Sequence, residues 1–263
     1  MLGKLLKYDL KWVYKLIIIF YSLAFAFSII GRAFGEIENS LVCDIISKIC
    51  FGTAISMVVS SLINSLMRLW ARFVRNVYKD ESYLTHTLPV EKKDIYASKV
   101  VAGIVCIFTT MIVAVVCLFI CYYSEANMEV LKGLLELAAT TYNTTVLKLL
   151  LLVMVVIFLE VVYILLTGYV GIILGHKSNT GKMCKSIVVG FVLYLIFQTF
   201  TLGLIGIYGL INPDVMNLLN TTDMINVDAI KNVMYAGIGV YVVYSIVLYF
   251  LGQKELNKGV NVE

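Results

Sequence analysis

Few residues of this sequence have a type and spacing suited to catalysis. The stretch GHKSNTGKM, from Gly175 to Met183, is similar to a phosphate-binding loop. However, five residues instead of four separate its two glycines, and Met183 stands where such a loop needs a hydroxyl group for Mg²⁺. The two histidines, His86 and His176, are far apart in the sequence, and the six cysteines form no CxxC pair. We therefore predict no catalytic, cofactor-binding or metal-binding residue, and we expect that the chain is not an enzyme.

One carboxyl group is unusual because of its surroundings. Glu160 lies near the middle of the apolar segment 147–174. A carboxylate at the centre of a bilayer costs about 2.5 kcal/mol or more unless it is protonated, paired or hydrated. It therefore needs a partner, for which Asn64, Gln198 and Thr199 are candidates. Handling of a substrate or proton and a structural hydrogen bond from a neutral carboxyl group are two open interpretations.

A second polar feature is a stripe of side chains in a mostly apolar segment. Its spacings of three, four and four residues place the members on one face of a helix. The members are Thr53, Ser56, Ser60 and Asn64. Such a stripe in a membrane helix faces protein or water rather than lipid. Hydrogen bonding between helices, which is the commoner use of membrane Ser and Thr, and lining of a translocation path both remain open.

The composition indicates which elements carry these residues. The chain has 263 residues, of which 60% are hydrophobic and 14% charged, whereas soluble domains have about 25% charged residues. Six segments have the roughly 20 apolar residues that a bilayer-spanning helix needs. They lie near 16–34, 46–67, 98–123, 147–174, 187–211 and 233–251. The sequence therefore predicts an all-α polytopic membrane protein in the lipid bilayer, and a formal charge of only +4 argues against nucleic acid as a partner.

The distribution of positive charge predicts the topology. Sixteen of the 21 Lys and Arg residues fall in the amino-terminal stretch, the second and fourth loops and the tail. Loops rich in Lys and Arg stay in the cytoplasm, so both termini are expected to be cytoplasmic. The loop 68–97 is then cytoplasmic, and the loops 124–146 and 212–232 are extracellular. The first of these two outer loops has helical apolar spacing and is expected to lie along the outer surface.

The amino-terminal residues 1–15 have the pattern of an amphipathic helix. Lys4, Lys7, Lys11 and Lys15 recur at helical spacing, with apolar residues mostly away from them. This pattern favours a helix on the inner membrane surface. A simple topology signal is the alternative interpretation of the same lysines.

The cytoplasmic loop around Pro89 combines acids, aromatic residues and apolar residues. Proline disfavours helix at Leu88, so we expect a break there and a new helix from about Glu91. A plain solvated connector would not need Tyr83 and Leu84 to be exposed together. We therefore interpret this loop as a docking surface, with a solvated connector as the alternative.

At this point the sequence resembles the permease subunits of type-2 ATP-binding-cassette (ABC) exporters, in particular the short six-span type of Gram-positive bacteria. Their first inner loop often reads close to D-E-G-Y-L-T-x-T-L-P-V-S, and residues 80–91 here are DESYLTHTLPVE. Ser82 replaces the usual Gly, and Glu91 replaces the usual hydroxyl residue that starts the next helix. The opening LLKYDLKWVYK is also similar to the Lys- and aromatic-rich start of such permeases.

The resemblance implies a role for each polar feature. The loop would couple the permease to its ATPase through Asp80, Glu81, Tyr83, Leu84, Leu88 and Pro89. The translocation path would be lined by Ser56, Ser60, Asn64, Glu160 and Gln198.

The resemblance also implies the partners. Residues 1–263 would form a single permease domain in the plasma membrane, paired with a second permease subunit. ATP and Mg²⁺ would be bound by two separate ATPase subunits, and the cargo would be lipophilic or peptide-like. The alternative, from a different functional class, is a membrane sensor that conducts nothing and recruits a cytoplasmic partner through the same loop.

Overall fold

The computed structural model describes residues 2–37, 40–87, 89–141, 144–211 and 227–259, and within these ranges all regular secondary structure is helical. Six of its helices are long and apolar enough to cross a membrane. This confirms the predicted all-α fold and the six predicted spans. The helices are α1 (Leu2–Gly35), α2 (Leu41–Val77), α3 (Ser82–Thr87), α4 (Lys92–Tyr122), α5 (Glu125–Thr141), α6 (Val146–Gly175), α7 (Lys182–Ile211) and α8 (Val227–Asn257).

The helices fall into two compact units. The first unit covers Met1–Glu129 and contains α1 to α4. The second unit covers Val130–Asn261 and contains α6 to α8. The boundary between the units falls within α5. Because α5 covers Glu125–Thr141, the predicted outer loop 124–146 is helical over most of its length.

In the first unit, α1 packs against both α2 and α4. Its core includes Ile17, Phe73, Tyr96 and Ile107, none of which exposes measurable surface. The Phe73 and Tyr96 rings meet edge to face with centroids 6.2 Å apart, a favoured aromatic geometry. These contacts hold one end of α2 against the start of α4.

The predicted surface helix is not a separate element. Instead, α1 runs without interruption from Leu2 to Gly35. The predicted lysine face is present, since Lys4, Lys7, Lys11 and Lys15 are all exposed. The opposite face is covered by protein, because Asp9 and Val13 are buried. Residues 2–15 are therefore the first turns of a spanning helix and take part in the core of the first unit.

In the second unit, small residues allow α6 and α7 to approach closely. A Cβ atom added at Gly171 would lie 2.7 Å from Gly190 Cα, and one added at Gly175 would overlap the backbone of Ser186. α8 packs mainly on α6. The three helices therefore form one bundle around α6.

The predicted outer loop 212–232 is only partly comparable with the structure. Residues 212–226 lie outside the described residues. Residues from Val227 onward already belong to α8, so the loop is shorter than predicted at its carboxyl end.

Candidate functional site

A short helix presents two apolar side chains at one end of the first unit. α3 has six residues, and its Tyr83 and Leu84 side chains are 77% and 67% exposed. Asp80 and Pro89, which flank it, are also exposed, and Leu88 lies outside the described residues. Exposure of Tyr83 and Leu84 agrees with the predicted apolar tip.

Local hydrogen bonds explain why α3 starts and ends where it does. The Ser82 amide donates to the Lys79 carbonyl at 2.7 Å, which turns the chain after α2. The Thr85 hydroxyl donates to the Glu81 carbonyl at 2.9 Å within the short helix. The helix ends before Pro89, and α4 then begins at Lys92 with Glu91 as the preceding extended residue. The predicted break and restart of the helix are confirmed.

Tyr78 closes the end of α2 just before this turn. Its backbone amide donates to the Val74 carbonyl at 2.9 Å, and its side chain is buried. Burial raises the pKa of the Tyr78 phenol because the charged form would lose its hydration. The residue is therefore neutral and packs against Phe73, with ring centroids 6.3 Å apart.

Glu81 fixes α3 to the end of α2. Its carboxylate accepts hydrogen bonds from Arg72 Nη1 at 2.8 Å and from Asn76 Nδ2 at 2.6 Å. The Arg75 Nε atom lies 3.0 Å from the other carboxylate oxygen. From the sequence, Glu81 was predicted to belong to the docking loop, together with Tyr83 and Leu84. The structure shows that its carboxylate binds α2, so it holds the tip in place.

The same network continues into a buried ion pair. Lys99 Nζ, on α4, donates to Asp9 Oδ1 on α1 at 2.5 Å and to Asn76 Oδ1 on α2 at 2.8 Å. Arg72 Nε lies 3.3 Å from Asp9 Oδ1. The Ser98 hydroxyl donates to Asp9 Oδ2 at 3.3 Å. Asn76 and Arg72 therefore connect α3 to both α1 and α4.

Aromatic contacts reinforce the α1–α2 side of this network. The Arg68 guanidinium group lies 4.2 Å from the centre of the Trp12 ring, and that of Arg72 lies 5.3 Å from it. Arg68 also donates to the Trp12 carbonyl oxygen at 3.0 Å. Cation–π contacts of this kind are worth about 0.5–2 kcal/mol, depending on desolvation.

A cavity of about 340 Å³ lies beside the network. Its polar wall is made by the ion-pair residues, and its apolar wall by Leu5, Tyr8, Leu84 and Ile95. Leu84 thus contributes both to the exposed tip and to this cavity. Residues of α1, α2, α3 and α4 therefore line the same cavity.

Two members of the predicted polar stripe on α2 donate hydrogen bonds within that helix. Asn64 Nδ2 donates to the Ser60 carbonyl at 2.8 Å, and the Thr53 hydroxyl donates to the Ile49 carbonyl at 2.8 Å. Ser56 is exposed, and Ser60 and Asn64 are half-buried. Ser61 and Ser65, one position further along the helix, are buried.

Glu160 lies among polar and aromatic groups of the second unit. The Tyr241 hydroxyl on α8 lies close enough to Glu160 on α6 and to Gln198 on α7 to interact with both side chains. Of the three predicted partners, Gln198 therefore lies in the same group. The Thr199 hydroxyl instead donates to the Leu195 carbonyl at 2.9 Å, and Asn64 bonds within α2.

Comparisons of the chain with protein-family models, with curated proteins and with solved structures give no match. In the ranges that the structure describes, no three His, Cys, Asp or Glu side chains are grouped so that they could hold a metal ion.

Several residues of the ion-pair network behind α3, and one residue near Glu160, were not predicted from the sequence. Asp9 and Asn76 were not predicted as site residues, and no ion pair was predicted for Lys99. Asp9 is an acid within the lysine-rich start, and Lys99 lies at the edge of an apolar span. These unusual positions of Asp9 and Lys99 were the signals in the sequence that could have indicated the ion pair. Tyr241 gave no such signal, because tyrosine is common in this chain.

Proposed function

We propose that this multi-pass membrane protein is the permease subunit of an ABC exporter for a lipophilic or peptide-like substrate. In this proposal a separate ATPase subunit hydrolyses ATP and docks on α3, and a second permease subunit completes the transporter. Both termini and α3 lie on the cytoplasmic side of the plasma membrane, as the distribution of Lys and Arg predicts.

The observation that carries the proposal is the way α3 is presented. Tyr83 and Leu84 are exposed, yet Glu81, directly before the helix, is bonded to three α2 side chains. An exposed aromatic residue next to an exposed leucine on a fixed element is typical of an interaction site. A solvated connector would need neither the apolar tip nor the ion-pair network behind it.

The network also supplies a physical route for coupling. A force applied to α3 acts on Glu81, and through Arg72 and Asn76 on Asp9 and Lys99. Because these bonds join α1, α2 and α4, the ends of three spanning helices move together with the docked ATPase.

The test is co-purification of the ATPase and its hydrolysis of ATP. The double variant Tyr83→Ala/Leu84→Ala should insert normally and lose both ATPase binding and permease-stimulated hydrolysis. The matched control is Leu131→Ala/Leu134→Ala on α5, which removes two apolar side chains that are 46% and 61% exposed at the predicted outer surface. Full ATPase binding by the α3 variant would refute the docking role. If the wild-type protein instead co-purifies with a partner that binds through α3 but hydrolyses no ATP, the sensor alternative is favoured.

A further inference from the structure

The Glu160 group joins all three helices of the second unit. Glu160 lies halfway along α6, Gln198 lies on α7 and Tyr241 on α8. The Tyr241 hydroxyl lies near both other side chains, and all three residues are half-buried. Polar groups are thus concentrated at mid-membrane depth, where each uncompensated one is costly.

The negative charge of Glu160 has no cation near it in the bundle. Among the described residues of the second unit, the lysines lie towards or beyond the helix ends. Lys148 on α6 is about 18 Å away along the helix axis, and Lys231 on α8 is about 15 Å from the level of Tyr241, at 1.5 Å per residue. The nearby phenol and amide are uncharged, so they do not balance the charge of the carboxylate. A positively charged ligand can balance it.

Aromatic rings surround the same position. Tyr163, one turn along α6 from Glu160, has ring centroids of Tyr194 and Tyr241 at 5.9 Å and 5.7 Å. Phe197 and Tyr244 extend this cluster. The faces of aromatic rings attract cations, and aromatic groups combined with a carboxylate are a general means of recognising organic ammonium ions. Tyr194 and Tyr241 are half-buried, so their rings retain accessible surface.

Other ligand classes fit these groups less well. A metal ion needs several hard or imidazole ligands, and the described part of the chain holds no such group. An anion would be repelled by the carboxylate. A small hydrated cation would lose its water in an apolar surrounding, whereas an organic cation carries its own apolar body.

We infer that Glu160, with Tyr241 and the neighbouring rings, binds the cationic group of a lipophilic organic cation. This inference rests on the proposed function, in which it narrows the substrate class. Tyr241 positions the carboxylate through its hydroxyl group, and Gln198 positions Tyr241. The apolar body of the ligand lies against the aromatic cluster and the surrounding aliphatic side chains.

Two ions of equal shape and opposite charge provide the test. Tetraphenylphosphonium and tetraphenylborate should be measured for binding to the purified full chain in nanodiscs, without ATPase or ATP. The wild type should bind the phosphonium ion at least tenfold more tightly than the borate ion. Glu160→Gln should abolish this preference, and Tyr241→Phe should reduce phosphonium affinity by a few fold. Glu136→Gln, an exposed acid on α5, is the matched control and should behave as wild type.

A second readout needs no variant. Dicyclohexylcarbodiimide modifies carboxyl groups in apolar surroundings, and mass spectrometry locates the adduct. Bound tetraphenylphosphonium should protect Glu160 from modification, and tetraphenylborate should not. Equal binding of both ions by the wild type, an undiminished preference in Glu160→Gln, or modification unaffected by the phosphonium ion would each overturn the inference. Because no ATPase is present, these results are independent of whether α3 docks one.

Discussion

Lys99 Nζ lies 2.5 Å from Asp9 Oδ1, and the two side chains are only 7% and 5% exposed. Ninety positions separate the two residues in the sequence, so this contact ties the start of α1 to the start of α4. A buried ion pair is stable only when further hydrogen bonds satisfy its partners. Here Asn76, Ser98 and Arg72 supply them.

Breaking this pair on one side should be strongly destabilising. Lys99→Met leaves Asp9 buried with one cation fewer, and we expect a loss of about 3–5 kcal/mol. The measurement is thermal unfolding of the purified protein in detergent. Lys48→Met is the matched control, because its ion pair with Asp44 on α2 is 74% and 59% exposed and should contribute less than about 1 kcal/mol. Equal unfolding temperatures for the two variants would show that the buried pair has no special role.

The close contact between α6 and α7 leads to a second prediction about stability. Gly175→Ala places a methyl group against the Ser186 backbone, which cannot move as a flexible side chain would. Overpacking of this kind costs about 1–3 kcal/mol. Gly206→Ala on α7 is the control, since a Cβ atom there meets no other atom within 4 Å. Thermal unfolding of both variants tests this, and an unchanged stability of Gly175→Ala would contradict the observed packing.

The amount that could be predicted from the sequence differs between these features. The six spans and the break before α4 follow from local composition and from one proline, and the structure confirms both. The Asp9–Lys99 pair and the Glu160–Tyr241 contact depend on which helix faces meet, which no local pattern determines. Asp9 lies in a segment that the sequence predicted as a surface helix, so its burial was not expected. Tyr241 was not among the three candidate partners that the sequence suggested for Glu160.

The polar stripe on α2 gives a prediction about water access. If it lines a path, cysteine at Ser60 or Asn64 should react with a small water-soluble thiol reagent, in a background without the six native cysteines. Cysteine at Ile63, which is 56% exposed on another face of the same helix, should react less because lipid covers it. The reagent should also slow transport.

The structure also explains how this stripe could lie outside a translocation path. Asn64 and Thr53 are satisfied by carbonyl groups of α2 itself, which makes contact with lipid tolerable. Ready labelling at Ile63 together with no labelling at Ser60 and Asn64, in every nucleotide state, would place the path elsewhere.

Photo-crosslinking from Tyr83 tests the central claim most directly. A benzoylphenylalanine at this position retains an aromatic side chain on the exposed face of α3 and reacts only with what touches it. In intact cells it should crosslink to a protein that contains a phosphate-binding loop and hydrolyses ATP, and the same probe at Leu134 on α5 should not. Crosslinking from Tyr83 to a protein without a phosphate-binding loop, or equal capture of the ATPase from Leu134, would contradict the assignment of α3 as the ATPase-docking element.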